Sequence, residues 1–136
     1  MTWAVELLEQ AQAFFDELTQ DEQTRVAGAM RMLQEHGPNL GRPHVDSLKG
    51  SRHKNLKELR VQCGDKQFRI LFAFDPKRSA VLLLGGDKLA HGVDRFYVDL
   101  IPIAEDLFDA HLERAAAAAT PVKKTAVKKT RGRKTP

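Results

Sequence analysis

Three runs of β-favouring residues at hairpin spacing, in KNLKELRVQCGDKQFRILFAFDPKRSAVLLLGGDK from Lys54 to Lys88, restrict the chain to folds built around a small, mainly antiparallel sheet. The runs fall at about 56 to 62, 67 to 74 and 79 to 85, with Cys63-Gly64-Asp65 and Asp75-Pro76-Lys77-Arg78 as the turns between them. Side chains two apart share a face of a strand. Leu59 and Val61 thus alternate with Glu58 and Arg60, and Phe68, Ile70, Phe72 and Phe74 alternate with Arg69, Leu71 and Ala73. The aromatic set points to a core, and Arg60 and Arg69 are expected on the opposite, open face, with Lys54, Lys57 and Lys88 at the strand ends. The third run, Ala80 to Leu84, is apolar on both faces, which predicts an inner position in the sheet.

An arginine on a strand is costly to bury unpaired, so two readings of Arg60 and Arg69 stand side by side. They are solvated or paired with Glu58, or they form a basic surface for phosphates. Gly85-Gly86-Asp87-Lys88 lacks the GxxxxGK[ST] pattern of a P-loop, and its glycines are expected to turn the chain sharply and carry Lys88 to the rim.

Around this sheet the pattern is helical. Trp3 to Leu8 reads as a first short strand, and Ala11, Phe14, Phe15 and Leu18 recur at helical spacing after it. Thr19-Gln20-Asp21-Glu22 fits a capping box for a second helix with Val26, Ala29, Met30 and Leu33 on one stripe, ended by Gly37-Pro38. Residues 38 to 55 read as a loop made basic by Arg42, Lys49, Arg52 and Lys54, with His44 and His53 interleaved. A last helix is predicted from about Ile101 to Arg114, with Pro102 in its first turn and Ala104, Leu107, Phe108 and Leu112 buried; the segment from His91 to Leu100 has room for a helical turn. The Ala115 to Ala119 run extends that helix.

With 136 residues and 42% hydrophobic content, one compact core fits and two ordinary domains do not. Residues 1 to 114 are expected to form the domain, and 115 to 136 an Ala-rich helix extension and a basic tail. Seven of the 22 basic residues and none of the 18 acidic ones lie in 120 to 136, so the tail is +7 and the rest −3. Such a segment cannot bury enough surface to offset its ordering entropy, and is expected to be disordered. It either attracts nucleic acid without reading sequence or serves as a spacer. The single Cys63 suits a reducing compartment, the five histidines show no metal-ligand spacing, and no apolar run is long enough to span a bilayer. No metal or cofactor and a cytoplasmic location are therefore expected.

The order helix, helix, basic loop, three strands and terminal helix, carrying RPHVDSLKGSRHKNLKELRV, QFRILFAFD and LLLGGDK, resembles the RelE superfamily of bacterial toxins, and within it the phage-derived branch of HigB-like toxins. The resemblance spans roughly residues 2 to 113. It implies an α+β fold with two N-terminal helices on one face of a small antiparallel or mixed sheet and a C-terminal helix. It also implies a metal-independent RNA endonuclease that enters the ribosomal A site, cuts messenger RNA and is held inactive by a cognate antitoxin, usually of helix-turn-helix type in this branch. Carried over by position, Arg60 and Arg69 match basic positions of the concave face, Lys54 and Lys57 the lysines at its entrance, and Lys88 the basic residue after the last inner strand. The general base stays open among His91, Tyr97, His53 and Glu58. Two other classes compete: a ParE-like gyrase inhibitor on the same fold, and a noncatalytic nucleic-acid-binding protein driven by the tail.

Overall fold

A computed structural model describes residues 2–119; the disorder and nucleic-acid affinity expected of residues 120–136 lie outside the described residues. Strand β1 (Ala4–Leu7) leads into helices α1 (Glu9–Asp16) and α2 (Gln20–His36), and a 3-10 turn, Gly37–Asn39, follows. Strands β2 (Val45–Ser47), β3 (Lys57–Cys63), β4 (Lys66–Phe74) and β5 (Ser79–Asp87) complete the sheet, and helices α3 (Lys88–His91) and α4 (Val93–Ala119) close the described chain. The strand order is β1-β5-β4-β3-β2, with β1 parallel to β5 and the other neighbours antiparallel. This is the expected α+β mixed sheet, and β5 lies inside it as its two apolar faces require. No helix among the described residues is long and apolar enough to cross a membrane.

The alternation along β3 and β4 fixes the two layers. Leu59, Val61, Phe68, Ile70 and Phe72 pack under Ala11, Val26 and Leu33 of α1 and α2. α2 starts at the expected capping box: the Glu22 N–H donates to Thr19 Oγ1 at 3.2 Å and the Thr19 N–H to Glu22 Oε1 at 2.9 Å, which satisfies two amides otherwise left without partners. On the other face Leu71, Ala73, Val81 and Leu83 pack against Phe96, Leu100, Ile101, Ala104 and Phe108 of α4. Phe72, Phe96 and Phe108 are fully buried, each contributing about 2–3 kcal/mol through apolar area removed from water.

Three expectations change. The face carrying the arginines is not open, because α4 covers much of it; Leu71 and Ala73, which share that face with Arg69, require such a cover. α4 begins at Val93 and not near Ile101, so Pro102 lies inside the helix. The carbonyl that Pro102 deprives of its amide belongs to Val98, a residue 61% exposed, where water can take the missing bond. The expected loop 38 to 55 contains β2, paired Val45 to Leu59 and Asp46 to Glu58.

Gly85 and Gly86 are also not a turn but the end of β5. A Cβ on Gly85 would lie 2.8 Å from the Phe14 ring, and one on Gly86 3.2 Å from the Phe96 ring, so the pair lets α1 and α4 approach the strand from opposite faces. This close approach sets the residue after Phe96 over the arginines.

Candidate active site

Arg60 and Arg69 are direct partners in the β3–β4 register, so both guanidinium groups rise from one spot on the face that α4 overlies. Glu58, two residues before Arg60 on the same strand face, places its carboxylate between them: Oε2 is 3.6 Å from Arg60 Nε and Oε1 3.8 Å from Arg69 Nε. Tyr97, on the turn of α4 packed here, donates its phenol to Glu58 Oε1 at 2.6 Å. Lys88, carried from β5 into α3, sets its ammonium 5.2 Å from the centre of the Tyr97 ring. Three side chains from three elements thus surround one carboxylate, and Lys88 adjoins the tyrosine of that set.

Burial differs within the cluster. The Arg60 side chain is about one third exposed, whereas Arg69 and Glu58 are each only about 5% exposed. Arg69 therefore does not project from an open surface as expected. Its Nη1 donates to the Phe68 carbonyl at 3.0 Å and its Nη2 to Gln67 Oε1 at 3.3 Å. The Nε of each arginine is buried and has no hydrogen-bond partner among the described residues. Burial, then the hydrogen bond to Glu58 and that carboxylate's charge, push the Tyr97 phenol up to about 12. At neutral pH Tyr97 is consequently a donor.

The other expected site residues lie elsewhere. Lys57 alternates with Glu58 on β3, and its ammonium donates to Ser47 Oγ at 3.4 Å at the sheet edge. Lys54 is exposed in the turn after His53, and the His53 ring contacts Asp109 at 2.7 Å and stacks edge-on against Phe108. Asp109 is three helical turns beyond Tyr97, about 18 Å along α4. His91 is tied to Asp99 at 2.8 Å, and Asp99 lies about 200° around the helix from Tyr97. Arg60, Arg69, Lys88 and Tyr97 therefore come together, while Lys54, Lys57, His91 and His53 do not join them.

Access runs through a groove between the basic loop and α4. A hollow of about 390 Å³ beside β2 is lined by Arg42, Asp46, Lys49, Glu58 and Tyr97. A second, of about 300 Å³, continues along α4 past Val98, Ile101 and Pro102, and the two share Lys49 and Tyr97. Arg42 is spent on Asp46 at 2.9 Å, and this hydrogen bond holds the Asp46 carboxyl below its usual range. Arg52, another expected basic loop residue, pairs with Asp109 and neighbouring carboxylates of α4. That leaves Lys49 as the groove cation with no ion pair among the described residues. Asp46 and Gln67 were not singled out in the sequence; Gln67 shares a strand face with Arg69 at a spacing of two, and that is the signal that points to it.

A family profile described as "Phage derived protein Gp49-like" matches residues 13–109. HigB3 of Mycobacterium tuberculosis, provisionally named as a toxin, is 49% identical over 102 residues, which cover 75% of this chain and 87% of HigB3. HigB2 of the same organism, named in the same way, is 40% identical over 111 residues, covering 81% of this chain but only 54% of HigB2. Among solved structures, the toxin–antitoxin complex RelBE2 from M. tuberculosis contains a chain that superposes with a TM-score of 0.51 at 13% identity, over 64% of this chain and 99% of that one. That likeness is one of fold.

Proposed function

The chain belongs to the phage-derived Gp49-like family and is a HigB-like toxin of the type II toxin–antitoxin class within the RelE superfamily, and from that membership we propose that it is a ribosome-dependent messenger-RNA endonuclease whose reacting phosphate is held by Arg60 and Arg69. The observation that carries this reading is the arginine pair, directly opposed in register, with each Nε buried and unpartnered among the described residues. In the proposed reaction a ribose 2′-oxygen attacks the adjacent phosphorus. The O2′–P bond forms, the P–O5′ bond breaks, and a 2′,3′-cyclic phosphate and a free 5′-hydroxyl result. One proton leaves O2′ and one arrives at O5′.

Negative charge gathers on the non-bridging oxygens as the phosphorane-like transition state forms. Fixed guanidinium groups stabilise it more than they stabilise the ground state, and their planar forks match phosphate oxygens by paired hydrogen bonds. In this scheme the arginines supply the charge that a metal would otherwise provide. Tyr97, protonated at neutral pH, donates a hydrogen bond or a proton and is not the base. His91 and His53 are held by Asp99 and Asp109, away from the arginines, so the carboxylate of Glu58 is the acceptor within reach and is assigned the O2′ proton. Lys88 adds positive charge beside Tyr97.

The same reading gives the chain a cytoplasmic site of action, the ribosome and its message as targets, and a cognate antitoxin, of helix-turn-helix type, as the partner that restrains it. Residues 120–136 add nonspecific attraction to RNA. Sequencing of transcript 5′ ends after brief induction tests the proposal: new 5′-hydroxyl ends at codon spacing inside translated regions support it. Altered DNA supercoiling with intact transcripts would favour the gyrase-inhibitor reading instead.

A further inference from the structure

We infer that Glu58 is an internal ligand standing in the place of the substrate phosphate, so that an RNA phosphodiester exchanges with its carboxylate before the two arginines can act. This rests on the endonuclease reading and adds to it the state in which the unliganded protein waits.

The geometry of the cluster carries the inference. A carboxylate serving as the permanent partner of two arginines accepts their N–H groups at about 2.8 Å, commonly two at a time. Glu58 instead sits 3.6 and 3.8 Å from the two Nε atoms, and neither Nε makes a hydrogen bond to any group among the described residues. The carboxylate is drawn the other way, to the Tyr97 phenol at 2.6 Å. Two buried donors thus face a small anion that fills the space between them without satisfying either. A phosphodiester is larger, shares its charge between two oxygens set wider apart on a tetrahedral centre, and can reach both donors at once.

The path is also present. Glu58 and Tyr97 both line the hollow beside β2, where Lys49 is the cation with no ion pair among the described residues, so an anionic strand drawn into the groove is brought to the Tyr97–Glu58 pair. Arg69 has almost no solvent exposure while Glu58 and Tyr97 are in place, which makes their displacement the condition for its use. Once displaced from the arginines, Glu58 is beside the phosphate and free to accept a proton.

Tyr97 is the only tyrosine of the chain, so its ring gives a single assignable signal beside Glu58. The test uses the full chain with ring-labelled tyrosine and two probes, a 2′-O-methyl hexaribonucleotide that cannot be cut and inorganic phosphate. RNA is expected to shift the single tyrosine ring signal as the phenol loses its carboxylate, and Glu58→Gln to bind that RNA about tenfold more tightly than the parent. Asp99→Asn, the same charge change on the far side of α4, is expected to gain less than twofold. Phosphate alone moving the same signal at high concentration also supports the exchange. Equal gains in the two variants, or a tyrosine signal unmoved by saturating RNA, would overturn it. If Glu58→Gln fails to fold, the tyrosine titration of the parent chain decides alone. Codon-spaced cuts combined with an unmoved tyrosine would remove this inference and leave the endonuclease reading standing; missing cuts would remove that reading separately.

Discussion

Tyr97→Phe deletes one oxygen and leaves the ring where it packs against Phe96 and under Lys88, so the energetic consequence belongs almost entirely to the bond with Glu58. A hydrogen bond to a charged acceptor has a net worth of roughly 1.5–3 kcal/mol, and the buried carboxylate that loses this donor retains only the two arginines at longer range. About 2 kcal/mol of destabilisation is expected at pH 7. For a body of this size that corresponds to a fall in Tm of roughly 8 °C.

The pH dependence supplies an independent check. The phenol in the unfolded chain ionises near 10, while in the folded protein it stays protonated up to about 12. Between these values the unfolded state loses a proton that the folded state keeps, so the stability contributed by Tyr97 is complete below pH 10 and is lost as pH rises towards 12. The upper bound over that interval is roughly 3 kcal/mol, and solvent screening of the partly exposed ring brings it towards the figure from the hydrogen bond. Thermal unfolding of the parent and Tyr97→Phe at pH 7, 10 and 11.5 measures both quantities, with lysine titration common to the two proteins. The difference is expected to be about 8 °C at pH 7 and to shrink steadily above pH 10. A difference under 2 °C at pH 7, or one that does not narrow in alkali, would refute the assigned bond.

Arg60→Ala should abolish growth arrest in cells and lower cleavage by about a hundredfold or more, as loss of an oxyanion-stabilising donor does, while stability changes by no more than about 1 kcal/mol; Arg69→Ala should also be inactive but lose about 3 kcal/mol because it strands the buried Glu58 charge. Unchanged toxicity in both would remove them from the site. Burial pushes the Asp75 carboxyl up, but hydrogen bonds from His111 and from the Ser79 and Lys77 amides outweigh it and leave it below its usual range. Asp75 therefore stabilises the fold above about pH 4 and stops doing so as pH falls through its folded value, and acid unfolding followed by circular dichroism should show Asp75→Asn less sensitive in that range. Phe96→Ala, at a fully buried ring against Gly86, should cost about 3–5 kcal/mol in denaturant titrations. Deleting residues 120–136 should leave the cut positions unchanged while weakening nonspecific RNA retention, whereas loss of the cuts would assign the activity to the tail.

How much of this was legible varies with the length of the signal. The seven residues of β3 and the first half of β4 alternate, which puts Arg60 and Arg69 on one face, and the tight turn at Gly64-Asp65 sets them opposite each other. Thr19 and Glu22 announce the start of α2 because a capping box needs both residues at one spacing. β2 was missed because three residues, one of them apolar, carry no period. The start of α4 was misread because proline usually marks a first turn; only the exposure of Val98 shows why it is tolerated in the interior here. The covering of Arg69 was visible in outline, since Leu71 and Ala73 beside it and the doubly apolar β5 demand a second layer. Nothing in the sequence says that Tyr97 is the residue this layer sets on Glu58, because that depends on Gly86 admitting Phe96.

The most direct measurement is the structure of the full chain on a ribosome carrying a 2′-O-methylated message that cannot be cut. The phosphate at the blocked bond should lie within hydrogen-bond distance of both Arg60 and Arg69, with the Glu58 carboxylate withdrawn from between them. A phosphate seated against Lys54 and Lys57, with the Glu58–Tyr97 bond intact over a buried Arg69, would contradict the account.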